Sequence, residues 1–158
     1  MIDKIDIEAI RNILKDLDPL TSKVYLGCDS ERIVMDGKAY ADYMIVVAIH
    51  KNGNNGCKIF GRVDRERDFD QKAARPINRL MTEVYKVAEL YMQLEEAIQD
   101  REIEIHLDIN PNELHGSSCA LTQAIGYIRG TCNVVPLVKP NAFAASYAAD
   151  RLKTLHAA

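Results

Sequence analysis

The apolar positions of this chain change period along its length. Ile10, Ile13, Leu14 and Leu17 recur at helical spacing, which predicts a short amphipathic helix with Asp6 as N-cap and Asp18-Pro19 as its stop. Val24-Tyr25-Leu26-Gly27-Cys28-Asp29 reads as a short buried strand that ends in a carboxylate. Tyr40 to Ile49, rich in β-branched and aromatic residues, is a second strand. Asn52-Gly53-Asn54-Asn55-Gly56 makes a turn, and Cys57 to Val63 returns as a third. These three runs predict an antiparallel meander.

A charged stretch from Asp64 to Arg75 then leads into a long helix with Pro76 near its first turn, running to about Gln99. Ile77, Leu80, Met81, Val84, Val87, Ala88, Tyr91, Leu94 and Ile98 share one broad face of it. In Glu102 to Ile109, isoleucine and leucine alternate with Glu104, His106 and Asp108, a fourth strand. A loop with Pro111 and Gly116 precedes a helix from about Ser118 to Ile128, broken at Gly130. Val134 to Val138 is a fifth strand, and a final alanine-rich helix spans Ala142 to about Leu155.

The order predicts an α/β domain: a mixed five-stranded sheet, three antiparallel strands and then two parallel ones, flanked by helices, with an extra N-terminal helix. Ligands of such sheets gather outside the carboxyl ends of the strands, where strand order reverses. Here the reversal falls between the first strand, ending at Asp29, and the fourth, ending near Asp108.

Two carboxylates at that point carry chemistry. Anions about 4 Å apart repel by about 4 kcal/mol at an effective dielectric of about 20. Either one carboxyl keeps its proton or a cation sits between them, and hard divalent ions such as Mg²⁺ or Mn²⁺ prefer oxygen ligands. Taken singly, each Asp has a plainer reading as a solvated strand end. Glu83 lies at the margin of the apolar face of the long helix, with a surface pair to Arg79 as its alternative. Asp150 shares a stripe with Phe143 and Tyr147, and pairing with Arg151 or Lys153 is its alternative.

Composition narrows the class. At 158 residues the chain fits one domain (residues 1–20 a helical extension, 22–153 the core), and 47% hydrophobic with 27% charged residues is a soluble balance. The net charge of −3 argues against coating nucleic acid through bulk charge. No apolar run spans a membrane, the first residues lack a secretory pattern, and four cysteines without a C-x-x-C pair suit reduced thiols, so a cytoplasmic location is expected. His115, Cys119 and Cys132 fit no zinc spacing, and no phosphate-binding glycine loop or G-x-S-x-G elbow occurs. Arg62, Arg65, Arg67, Lys72, Arg75 and Arg79 are interrupted by Asp64, Glu66, Asp68 and Asp70, which reads as a salt-bridged loop or a modest phosphate-holding patch. No aromatic run marks a surface for stacking single strands.

The element order, with acids on the first strand, the long helix, the end of the fourth strand and the last helix, resembles the ribonuclease H-like nuclease fold. Gly27-Cys28-Asp29-Ser30, His106-Leu107-Asp108-Ile109-Asn110, and Lys139-Pro140 followed by Ala144-Ala145-Ser146-Tyr147-Ala148-Ala149-Asp150 resemble the YkuK-like family of bacteria and phages, over roughly residues 22–153. The resemblance implies a nuclease using two Mg²⁺ or Mn²⁺ ions, with Asp29, Glu83, Asp108 and Asp150 as catalytic metal ligands. It implies a nucleic-acid substrate, and a homodimer is compatible with it. The alternative is a non-catalytic module that binds nucleic acid or a protein partner. Ser30, His106, Asn110 and Lys139 are candidates to orient the carboxylates or contact phosphate.

Overall fold

A computed structural model of the chain describes residues 2–51, 56–98, 100–112 and 115–142. Helix α1 (Ile7–Asp16) starts where its cap predicts: the Ala9 amide donates to Asp6 Oδ1 at 3.1 Å. It buries Ile10 and Leu14 in the main core. Ahead of it, Ile2–Lys4 forms a short strand, β1, which the periodicity did not reveal because three residues are too few to show alternation.

Strands β2 (Lys23–Met35), β3 (Lys38–His50) and β4 (Cys57–Arg67) form the predicted meander, but all three are longer than expected, and β4 takes in Asp64 to Arg67 of the charged stretch because they pair with Tyr43 to Tyr40 of β3. β2 does not end at Asp29. It continues to a tight turn at Asp36-Gly37, whose φ values of 51° and 73° are the left-handed pair of a two-residue hairpin. Helix α2 (Ile77–Ile98) follows, then β5 (Glu102–Leu107), which ends one residue before Asp108.

The sheet order is β1-β4-β3-β2-β5. β2 pairs antiparallel with β3 and parallel with β5, and β1 runs parallel to β4 at the far edge. The predicted fifth strand contracts to one parallel bridge: the Leu137 amide donates to Ile105 O at 2.8 Å and Leu137 O accepts from the Leu107 amide at 2.9 Å. Pro136 and Pro140 stand on either side and have no N–H to extend the ladder.

One face of the sheet, with Val24, Leu26, Cys28, Ile45, Val47, Ile105 and Leu107, packs with Leu80, Val84, Val87 and Leu94 of α2 in a single core. Asp70 holds the start of α2, its two carboxylate oxygens accepting from the Asn78 and Arg79 amides at 2.8 and 2.9 Å. A 3-10 turn at Gly116–Ala120 leads into helix α3 (Leu121–Cys132). Gly116 must be glycine, because a Cβ there would lie 2.0 Å from the Ala74 carbonyl oxygen. α3 runs through Gly130 rather than breaking at it. A helical glycine costs about 1 kcal/mol, and burial of Ile128 and Cys132 outweighs that, so the helix ends at Asn133 in a left-handed conformation. The expected final helix lies, beyond Ala142, outside the described residues. Among the described residues no helix is long and apolar enough to cross a membrane.

Candidate functional site

The register of β2 and β5 sets the site. Cys28 and Leu107 are parallel partners on strands about 4.8 Å apart, and Asp29 and Asp108 are the residues that follow them. Asp29 is held in the middle of a long strand, and its Oδ1 accepts from the Ser30 amide at 2.9 Å. Asp108 stands where pairing with β2 has just ended. Alternation turns Ser30 back toward α2, and its hydroxyl donates to Glu83 Oε1.

Glu83 is buried, at 3% exposure, which discards the surface pair with Arg79. Arg79 instead reaches Ser30, donating from Nη1 to Oγ at 2.8 Å and to the carbonyl at 3.1 Å. Arginine, serine and glutamate thus form a relay that fixes Glu83 between helix and sheet. Burial pushes the Glu83 carboxyl well above its ordinary range. The Ser30 hydrogen bond pulls it down, the charges of Asp29 and Asp108 push it up again, and Arg79 offsets them in part.

The fourth participant is Lys139, whose Nζ lies 2.6 Å from Asp108 Oδ1 as an ion pair. Its amide donates to Ile109 O at 3.0 Å, so the segment after the Leu137 bridge carries it directly to the end of β5. Contact with Asp108 raises the lysine above its usual range against a partial desolvation, with Asp29 and Glu83 adding to the rise. Each of the three acids therefore acts on this one ammonium.

Two other candidates face elsewhere. His106 is fully buried, and its Nε2 lies 2.8 Å from Glu104 Oε2, with the ring edge against Tyr25. It belongs to a Lys23–Glu104–His106 cluster, because its Nε2 is turned back along β5 to Glu104, which Lys23 also holds. Asn110 shapes the following loop: its amide donates to Ser117 Oγ and its Oδ1 accepts from the Asn112 amide, both at 2.9 Å. Asp150 lies outside the described residues.

The charged segment before α2 is the salt-bridged version of its two readings at several positions. Arg62 pairs with Asp64, Arg65 grips Asp42 with two nitrogens at 2.6 and 2.8 Å, and Lys86 bridges Asp64 and Glu66. Asp68 and Asp70, each 6% exposed, are buried supports that the charge pattern concealed. Asp70 caps the helix that carries Arg79 and Glu83, and a signal for it did exist: an acid a few residues ahead of Pro76.

As the side chains stand, among the described residues no group of three His, Cys, Asp or Glu is arranged to hold a metal ion. The oxygen donors are nonetheless the right kind for a hard cation, and three acids share one field that Lys139 and Arg79 partly balance.

Residues 6–154 match the family described as Ribonuclease H-like. The chain belongs to the Ribonuclease H-like family. Among the described residues a mixed five-stranded sheet and three α-helices agree with that membership. No curated protein and no solved structure matches this Ribonuclease H-like chain.

Proposed function

We propose that this chain is a Mg²⁺- or Mn²⁺-dependent nuclease of the YkuK-like type, hydrolysing phosphodiester bonds of nucleic acid. Fold membership alone does not carry catalysis. The supporting observation is the adjacency of Asp29 and Asp108 on parallel neighbours, with buried Glu83 and Lys139 in the same field.

In this reading Asp29 and Asp108 would hold the cations, Glu83, aimed by Ser30 and Arg79, would assist them, and Asp150 would complete the set. Bound ions of this kind lower the pKa of a water and stabilise the departing oxygen of a phosphodiester. Lys139, half exposed and paired with Asp108, would meet a phosphate oxygen once its partner is engaged elsewhere. No protein nucleophile is required.

A non-catalytic binding module is the second reading, and one observation favours it: Lys139 already serves Asp108 as a counter-ion. Cleavage separates the two. Labelled RNA, DNA and hybrid substrates are incubated with millimolar Mn²⁺, and the nuclease reading expects cleavage that Asp29→Asn abolishes without altering the far-ultraviolet spectrum. Cleavage that survives in Asp29→Asn, or its absence from all three substrates with the wild-type chain, overturns it.

A further inference from the structure

The end of β4 and the start of α2 build a surface that the catalytic reading does not use. Tyr40 and Arg67 are cross-strand partners, and the Arg67 guanidinium lies 5.4 Å from the centroids of both the Tyr40 and the Phe69 ring. An arginine plane flanked by two rings is a rigid platform. Phe69 is 71% exposed, an unusual position for a large apolar ring.

An open cavity of about 360 Å³ begins at Phe69 and continues past Lys72, Arg75, Ile77 and Cys119. Neither Lys72 nor Arg75 has an ion pair among the described residues. The acids of the same stretch are turned inward: Asp68 faces Arg32, and Asp70 caps α2. What remains outward is one aromatic platform beside unpaired cations, although the chain as a whole is acidic.

We propose that this surface binds a single-stranded segment of nucleic acid, one base stacking on Phe69 and its flanking phosphates resting on Lys72 and Arg75. The inference rests on the nuclease reading for its relevance to catalysis and names the form of substrate. A duplex hides its base faces, so an exposed ring gains nothing from it beyond phosphate contact, whereas unstacked bases stack on aromatic side chains. A protein partner would call for a broader apolar area than one ring and the short apolar floor of the cavity. The patch is also coupled to the acids. Asp70 fixes the amide of Arg79, Arg79 holds Ser30, and Ser30 holds Glu83. Six residues of helix from Ile77 to Glu83 rise about 9 Å, which is the axial distance between the patch at the start of α2 and the buried acid.

Fluorescence anisotropy in EDTA tests this without any cleavage, using labelled twelve-nucleotide dT and U oligomers and a blunt duplex of twelve base pairs. The wild-type chain binds the single strands more tightly than the duplex. Phe69→Ala weakens single-strand binding about tenfold and leaves the duplex unchanged, while Phe69→Tyr retains binding. The double variant Lys72→Ala/Arg75→Ala flattens the dependence of log affinity on log salt by about 1.4. Wild-type-like binding by Phe69→Ala, equal or tighter duplex binding, or no binding of any oligomer overturns the proposal, the last leaving the ring as a protein contact. Cleavage without dependence on Phe69 removes the patch and spares the nuclease. Phe69-dependent binding without metal-supported cleavage does the reverse.

Discussion

The Lys139 ammonium sits 2.6 Å from Asp108 Oδ1, and this contact joins the bridge after Leu137 to the acids at the end of the parallel strands. The lysine side chain is 45% exposed, so solvent screens much of the attraction. Lys139→Ala is expected to cost the metal-free chain about 0.5–1 kcal/mol. It also leaves Asp29, Glu83 and Asp108 with less counter-charge, so added Mn²⁺ raises the melting temperature more in this variant than in the wild type. Paired thermal melts with and without Mn²⁺ measure both effects, and an equal metal response in the two proteins contradicts the shared field.

Glu83 is the acid with most to lose from burial. A carboxyl that folding raises costs stability above its unfolded value, and an amide of the same shape removes that cost. Glu83→Gln in EDTA at neutral pH is expected to be more stable than the wild type by about 1 kcal/mol, and to lose its gain from Mn²⁺. Urea titrations under both conditions check this. A large loss of stability in EDTA would mean that the carboxylate is a structural anchor for Ser30 and Arg79 instead.

How far these residues could be read from sequence depends on how local their signals are. The face of α2 and the alternation of β5 repeat over many residues, so the sheet, the long helix and the neighbourhood of Asp29, Asp108 and Glu83 were legible. The extension of β2 past Asp29 was not, because Asp29-Ser30-Glu31-Arg32 is polar on both faces and hides the strand. The Asp36-Gly37 pair was the overlooked clue. Asp68 and Asp70 were masked by their charged neighbours, and the Tyr40–Arg67–Phe69 stack joins rings far apart in sequence through a strand register that no local pattern displays.

Asp70 tests the support beneath the site. Two amides of α2 depend on its carboxylate. Asp70→Ala is expected to cost about 1–2 kcal/mol in a urea titration and to reduce cleavage by letting Arg79 drift from Ser30. Unchanged stability would show that water replaces the cap.

Glu104 gives the pH dependence. Burial would raise its carboxyl, but the Lys23 hydrogen bond, the His106 contact and the charges of both outweigh it, and the net direction is downward. A carboxyl depressed by folding contributes stability above its unfolded value, and that stability is lost as pH falls through the lower folded value. Glu104→Gln is therefore less stable than the wild type at neutral pH, by about 1 kcal/mol, and the two converge in acid. Urea midpoints from pH 7 down to pH 3 follow the convergence, and a gap that widens in acid would reverse the sign.

The proposed function requires that Asp29 and Asp108 hold a cation in the field of Glu83. A crystal soaked in Mn²⁺ and measured at the manganese absorption edge addresses it directly. The expected result is an anomalous peak within about 2.2 Å of carboxylate oxygens of both Asp29 and Asp108, with Lys139 withdrawn from Asp108. A crystal at saturating Mn²⁺ with no peak between those two residues, and with the Lys139–Asp108 pair intact, would contradict it.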